Sequence, residues 1–248
     1  MPRVMADEIM DDPGQSEADF AAALDGLETL NRITFAHPPI LGLLDRVVAE
    51  GGLDRLSVLD VGAGDLRIQR KFRAAGFPGD YLTQDVGGEF SYDFASLDSA
   101  LGPFDAILCL DVLEHLSLNA GLELLDNLAG RLAPGGVLAV QTPNARCVRH
   151  PSSWDMTHLH CYNLPDLWAF LTTLGLETTG RRVVFERPPE HRGSLWSRPL
   201  RQLERTLARL LITRWLGLDY ADNLLLLARK PPNSPNSTPS PESSTVSP

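Results

Sequence analysis

The chain has 248 residues, 43% hydrophobic and 22% charged, with a net charge of −10. That length supports a full apolar core, as one domain or two small ones, and the acidic balance excludes a general nucleic-acid binder, whose footprint is basic. Three cysteines (Cys109, Cys147, Cys161) without CxxC spacing exclude a disulfide framework, and neither a membrane-spanning apolar run nor a signal-peptide pattern is present, so a cytoplasmic protein is expected.

Residues 1–15, rich in Asp and Glu and closing near Pro13-Gly14, read as an acidic flexible arm. Residues 16–52 read as N-terminal helices forming a cap. Phe20, Leu24, Leu27 and Leu30 recur at helical spacing, and a second helix runs from about Pro38 to Glu50, stopped by Gly51-Gly52. The main domain is expected over 53–230. Ser57–Val61 is a short apolar strand, Asp65 to Ala75 a helix, Tyr81–Asp85 a second strand and Phe104–Cys109 a third clear one. A helix carrying Leu118, Leu122, Leu125, Leu128 and Leu132 follows, then a Pro134-Gly135-Gly136 turn into Val137–Gln141. Asn163 is a candidate N-cap for a helix with Leu167, Phe170, Leu171 and Leu174 inward, and Val183–Phe185 and Leu224–Ala228 are late strands. Residues 231–248, almost entirely Pro, Ser, Asn and Thr, read as a disordered tail. The alternation predicts an α/β fold with a mainly parallel sheet and helices on both faces.

The first strand runs into Asp60-Val-Gly62-Ala63-Gly64-Asp65 just before a helix. Glycines there let the backbone approach a ligand, and the helix N-terminus offers N–H groups. A tight strand-to-helix turn also carries glycine without binding anything. A dinucleotide fingerprint needs a glycine at position 67, where Arg67 stands. Asp85 closes the next strand, where a carboxylate can take both ribose hydroxyls of a nucleoside. Asp60, Gly62, Gly64, Asp85 and Asp111 all fall at carboxyl ends of strands, where open α/β sheets bind ligands.

Leu59-Asp-Val-Gly-Ala-Gly64 resembles the first motif of class I S-adenosylmethionine (SAM) dependent methyltransferases. Asp85 resembles that family's ribose-binding acid, and Asp93-Phe94 its adenine-contacting pair. Phe104 to Leu116 is similar to its fourth-strand motif, and Leu132 to Leu138 to the turn before its fifth strand. The resemblance covers about Leu56 to Lys230. It implies a Rossmann-like, doubly wound, mostly parallel sheet with a late antiparallel strand, and SAM as cofactor. It also implies a cofactor site of Asp60, Gly62, Ala63, Gly64, Asp85, Val86, Asp93, Phe94, Leu110, Asp111 and Val112. Two departures stand out. Leu66 occupies the place of a frequent third glycine, and only eighteen residues separate Asp85 from Phe104, so the third strand shrinks to about Phe90–Phe94.

Methyl transfer needs an aligned acceptor and a group to take its proton. The segment Thr142 to Tyr162 holds His150, Asp155, His158, His160 and Tyr162, and His158, His160 and Asp155 are the catalytic candidates. The same side chains could simply hydrogen-bond the loop. Asp111, Glu114 and His115, with His158 or His160, offer oxygen and imidazole ligands for a divalent metal, an arrangement similar to quinone-precursor O-methyltransferases and small-RNA 2′-O-methyltransferases. Glu-His after this strand also occurs in methyltransferases that bind no metal.

A basic helical insertion is expected over about 192–217. Six arginines and one acid, Glu204, fall in 192–214, with leucines on another helical face. Such a helix either packs its leucines on its own domain or makes peripheral contact with an anionic membrane. The expected activity is SAM-dependent methylation of an oxygen, in second place a nitrogen, of a small molecule, glycan or lipid-linked acceptor. Two other classes stay open: a non-catalytic SAM- or nucleoside-binding regulatory protein, which the missing third glycine favours, and an NAD-linked oxidoreductase, which Arg67 disfavours.

Overall fold

A computed structural model describes residues 56–74, 76–77, 79–87, 90–147, 157–183, 216, 218–219 and 221–232. The expected arm and cap (1–52), Asp155, most of the basic insertion and nearly all of the tail lie outside the described residues.

The strands are β1 (Ser57–Val61), β2 (Asp80–Gln84), β3 (Phe104–Leu110), β4 (Leu132–Pro143), β5 (Glu177–Val183) and β6 (Asn223–Arg229). The helices are α1 (Arg67–Ala74), α2 (Leu118–Gly130) and α3 (Leu164–Thr173). One sheet has the order β2-β1-β3-β4-β6-β5. β2, β1, β3 and β4 are mutually parallel, while β6 is antiparallel to both β4 and β5. This is the doubly wound α/β arrangement with a late antiparallel strand.

Alternation along the strands divides the core into two layers, since successive side chains face opposite sides of a sheet. Leu59, Val61, Ile107, Cys109, Leu138, Val140, Leu224 and Leu226 pack with Leu125 and Leu128 of α2 and Leu167 and Leu171 of α3. Val58, Ala106, Leu108, Ala139 and Leu225 face the other way, toward Ile68 and Phe72 of α1. Strands buried on both faces read as continuous apolar runs rather than alternating ones.

Local chemistry sets the element ends. Ser117 caps α2 by accepting from the Ala120 N–H, and Asn163 caps α3 by accepting from Asp166. The helix expected from Asp65 starts at Arg67, because Leu66 has φ +60°, outside the helical region. Leu132 is not helical as its spacing suggested. The helix stops at Gly130, and Arg131 turns its buried guanidinium onto the carbonyls of Ala100 and Leu97. Leu132 then opens β4 opposite Phe104, and the Pro134-Gly135-Gly136 turn sits inside β4 at a register shift. The late strand expected at Val183–Phe185 begins earlier, its described part being Glu177–Val183, while Val184 and Phe185 lie outside the described residues. The reduced third strand is a single bridge between Gln84 and Phe94. Among the described residues no helix is long and apolar enough to cross a membrane.

Candidate active site

The carboxyl ends of β1, β2 and β3 converge. Gly62 and Ala63 donate to the Gln84 carbonyl at 2.9 and 3.1 Å, which ties the loop after β1 to the end of β2. Gly62 (φ +69°) needs glycine on two counts, because a Cβ there would lie 2.4 Å from Cγ2 of Val112. Gly64 donates to Asp85 Oδ2 at 2.7 Å and Gly87 to Oδ1 at 3.0 Å. Each carboxylate oxygen keeps capacity for a further donor such as a hydroxyl. Tyr92, which the sequence did not single out, donates its hydroxyl to the Gly64 carbonyl at 2.8 Å.

The structure thus brings Asp60, Gly62, Ala63, Gly64, Asp85 and Val112 together, with Leu110 and Asp111 on the same strand end and Val86 beside them, 84% exposed. Asp93 and Phe94 lie just outside the edge strand. Phe94 pairs with the backbone of Thr83 and Asp85, while the Asp93 carboxylate accepts from Thr83 N and Oγ1, both at 2.8 Å. Asp93 spends that oxygen on holding the edge.

Two carboxyls here are far from their ordinary state. Burial pushes Asp60 up to about 7, outweighing the hydrogen bond that Tyr81 donates at 2.7 Å, and the charges of Asp85 and Asp65 add to the rise. Burial likewise pushes Asp111 up to about 6, against a hydrogen bond from Gln141 Nε2 at 2.9 Å. Asp111 also has φ +56°, a left-handed conformation that costs a non-glycine residue strain and is concentrated at functional sites.

A second cluster forms where the 157–162 segment returns to the sheet. Buried Glu114 accepts from Thr142 Oγ1 at 3.0 Å, and its backbone carbonyl accepts from Leu159 and His160 at 2.7 and 3.2 Å. His115 Nδ1 lies 3.1 Å from Thr157 Oγ1, and its ring meets that of His158 edge-on with centroids 5.1 Å apart. Glu114, His115 and His158 place one ligand atom each within 4.8 Å of one another. Asp111 is not in this group. The two catalytic candidates among the described residues separate: His158 faces His115, whereas His160 packs edge-on against Tyr162, centroids 4.6 Å apart.

Behind this segment sits a polar knot that the sequence did not announce. Asn144 Nδ2 donates to Asp219 and to the Ala221 carbonyl, and Arg182 pairs with Asp219 at 2.7 Å. Gln141 and Thr142, partners of Asp111 and Glu114, carried a usable signal as polar residues closing an apolar strand; Asp219 carried none.

A family profile described as a methyltransferase domain matches residues 34–210. Among solved structures, a SAM-dependent methyltransferase from Archaeoglobus fulgidus is 17% identical with TM-score 0.52, covering 76% of this chain and 94% of its own. A complex between the Haloferax volcanii Trm112 methyltransferase activator and its methyltransferase gives 13% identity and TM-score 0.54, covering 88% and 99%. The plantazolicin methyltransferase BpumL, solved with a triazolic desmethylPZN analogue and S-adenosylhomocysteine (SAH), is 15% identical with TM-score 0.54, covering 89% and 92%. These three share the fold with this chain. No curated protein matches it in sequence. With the glycine loop, the carboxylate after β2 and the strand order all in place, the family match is decisive: the chain belongs to the methyltransferase-domain family.

Proposed function

We propose that the chain transfers the methyl group of SAM to an oxygen of a small molecule, glycan or lipid-linked acceptor. The observation that carries this reading is the convergence of the Gly62–Gly64 loop with Asp85, whose oxygens are fixed by backbone N–H groups and can still accept from ribose hydroxyls. SAM supplies an activated methyl on a sulfonium: the acceptor oxygen bonds to the methyl carbon as the carbon–sulfur bond breaks, its electron pair staying on sulfur. The chain's own work is to align the acceptor and take its proton. His158, partly exposed beside Glu114 and His115, is the base we favour over His160, with Asp155 retained as a candidate. An oxygen acceptor is favoured over nitrogen because a neutral hydroxyl needs such a base.

The same three side chains support a second reading. Two imidazoles and a carboxylate suit a borderline divalent cation such as zinc or iron(II), rather than magnesium, which prefers oxygen ligands. A cation held by Glu114, His115 and His158 would lower the pKa of an acceptor hydroxyl directly. Asp111 would stand outside that ligand set, its carboxylate engaged by Gln141.

The test begins with calorimetric titration of SAM into wild type, Gly62→Arg and Asp85→Ala. Micromolar-range binding lost in both variants supports the cofactor site, and no binding by folded wild type sinks the reading. Transfer of labelled methyl to hydroxyl and amine acceptors, with and without chelator, then separates oxygen from nitrogen and the bare base from the metal.

A further inference from the structure

Among the described residues between Asp85 and Phe104 the only helical element is a single turn, Leu97–Ser99. The segment that follows Asp85 is held to the sheet by hydrogen bonds. Phe94 donates to the Thr83 carbonyl at 3.0 Å, and its own carbonyl accepts from Asp85 N at 3.2 Å. The Asp93 carboxylate takes both Thr83 N and Oγ1, and Asp93 N donates back to that Oγ1 at 3.2 Å. Tyr92 is thereby presented from a fixed base.

Its hydroxyl crosses back over 28 residues of sequence to the Gly64 carbonyl, and Gly64 in turn donates its N–H to Asp85 Oδ2. One glycine is thus held at both ends, its carbonyl by the phenol and its N–H on the acid. The other carboxylate oxygen, Oδ1, is held by Gly87 N. A Cβ at Gly87 would lie 3.5 Å from Asp85 Oδ1 and 3.8 Å from the Tyr92 hydroxyl, so phenol and carboxylate flank the same residue. Both glycines that fix Asp85 therefore adjoin Tyr92. Hydrogen bonds in series polarise and strengthen one another, and a carboxylate fixed in advance loses little freedom when a ligand arrives.

We propose that Tyr92 is a positioning residue of the cofactor site, its hydroxyl locking Gly64 so that Asp85 keeps the orientation that takes both ribose hydroxyls. The inference rests on the SAM reading above and deepens it. It also gives Asp93 a task, since the carboxylate oxygen spent on Thr83 sets where Tyr92 stands. Tyr92 acts through Gly64 and Asp85, so loss of its hydroxyl is felt by the ribose hydroxyls and not by the rest of the ligand.

The test compares SAH with its 2′,3′-dideoxy analogue, which keeps the base, the sulfur and the amino-acid end but lacks both ribose hydroxyls. Both are titrated by calorimetry into the full chain and into Tyr92→Phe, which removes one oxygen and keeps the ring. Wild type is expected to prefer SAH by roughly 100-fold, as two hydroxyl contacts to a charged acceptor imply. In Tyr92→Phe that preference is expected to shrink by roughly tenfold, while the dideoxy analogue binds as it does to wild type. Equal weakening of both ligands would assign Tyr92 to loop architecture alone and overturn the proposal. A preference that survives the substitution intact, or is absent from wild type, would overturn it too. A wild type that binds neither ligand overturns the SAM reading instead. Should Tyr92→Phe fail to fold, Asp93→Ala, which keeps the phenol but loosens its base, carries the same comparison with a smaller loss of preference expected and an unchanged preference counting against the proposal.

Discussion

The ends of β1–β3 and the ends of β4–β6 are built by different means. The first region is shaped by backbone. Gly62, Gly64, Leu66 and Asp111 all take positive φ, and main-chain bonds lash the loop to β2. The second region is shaped by side chains. Glu114 staples the histidine segment, and Asn144, Arg182 and Asp219 knot it to the start of β6. A backbone-built pocket fixes a cofactor that never varies. A wall of side chains can be altered residue by residue while the strands beneath it stay put, which suits an acceptor site.

That contrast can be broken most sharply at His158. Replacement by Ala is expected to lower turnover by about 10²- to 10⁴-fold while leaving SAM affinity within a few-fold of wild type, measured by steady-state kinetics and calorimetry. A parallel loss of SAM affinity would mean the two regions are not separable.

Asp60 gives the next largest effect, on stability. Its folded value of about 7 lies above the ordinary 3.8, so the folded state holds a proton that the unfolded chain releases earlier. Stability from this group is complete below pH 4 and declines as pH rises toward 7, at about 1.4 kcal/mol per pH unit and roughly 4 kcal/mol in all. Asp60→Asn should therefore flatten the pH profile of denaturant unfolding between pH 4 and 7; an unchanged slope would remove Asp60 as its source.

Asp85→Ala should weaken SAM binding by roughly 100-fold, as expected for losing two hydroxyl contacts to a charged acceptor. Its melting temperature should fall too, because Gly64 and Gly87 lose their acceptor. The smallest effect is at Leu66, a non-glycine residue at φ +60°. Leu66→Gly removes strain of about 1–2 kcal/mol, offset by about 0.5–1 kcal/mol of added unfolded-state freedom, so a gain of at most about 1 kcal/mol is expected in chemical denaturation.

These differences explain what could be read from the chain. The glycine loop was legible because a left-handed backbone beside Val112 leaves a residue-type signature within a few positions. The sheet was legible because strands covered on both faces are apolar throughout. The pairs Asp111–Gln141 and Thr142–Glu114 were not, since they depend on the register that sets Leu110 beside Gln141. The extension of the second helix through Leu132 failed for a related reason. Helical spacing ran on by coincidence into β4, and the actual stop depends on Arg131 reaching Ala100, 31 residues away. Leu66 was noted as a missing glycine, yet its backbone still adopts the glycine-like conformation; identity departed from the pattern while geometry did not.

The antiparallel course of β6 has a practical consequence. Its first residue, Asn223, pairs with Pro143 at the functional end, while Arg229 pairs with Val137, and Lys230 is fastened beyond it to Gly135, Gly136 and Leu132. Seven residues of extended chain span roughly 20 Å. Residues 231 and 232 therefore continue from the opposite rim of the sheet. A reporter or surface tether attached at Lys230 would stand at the rim away from the carboxyl ends of β1 and β3.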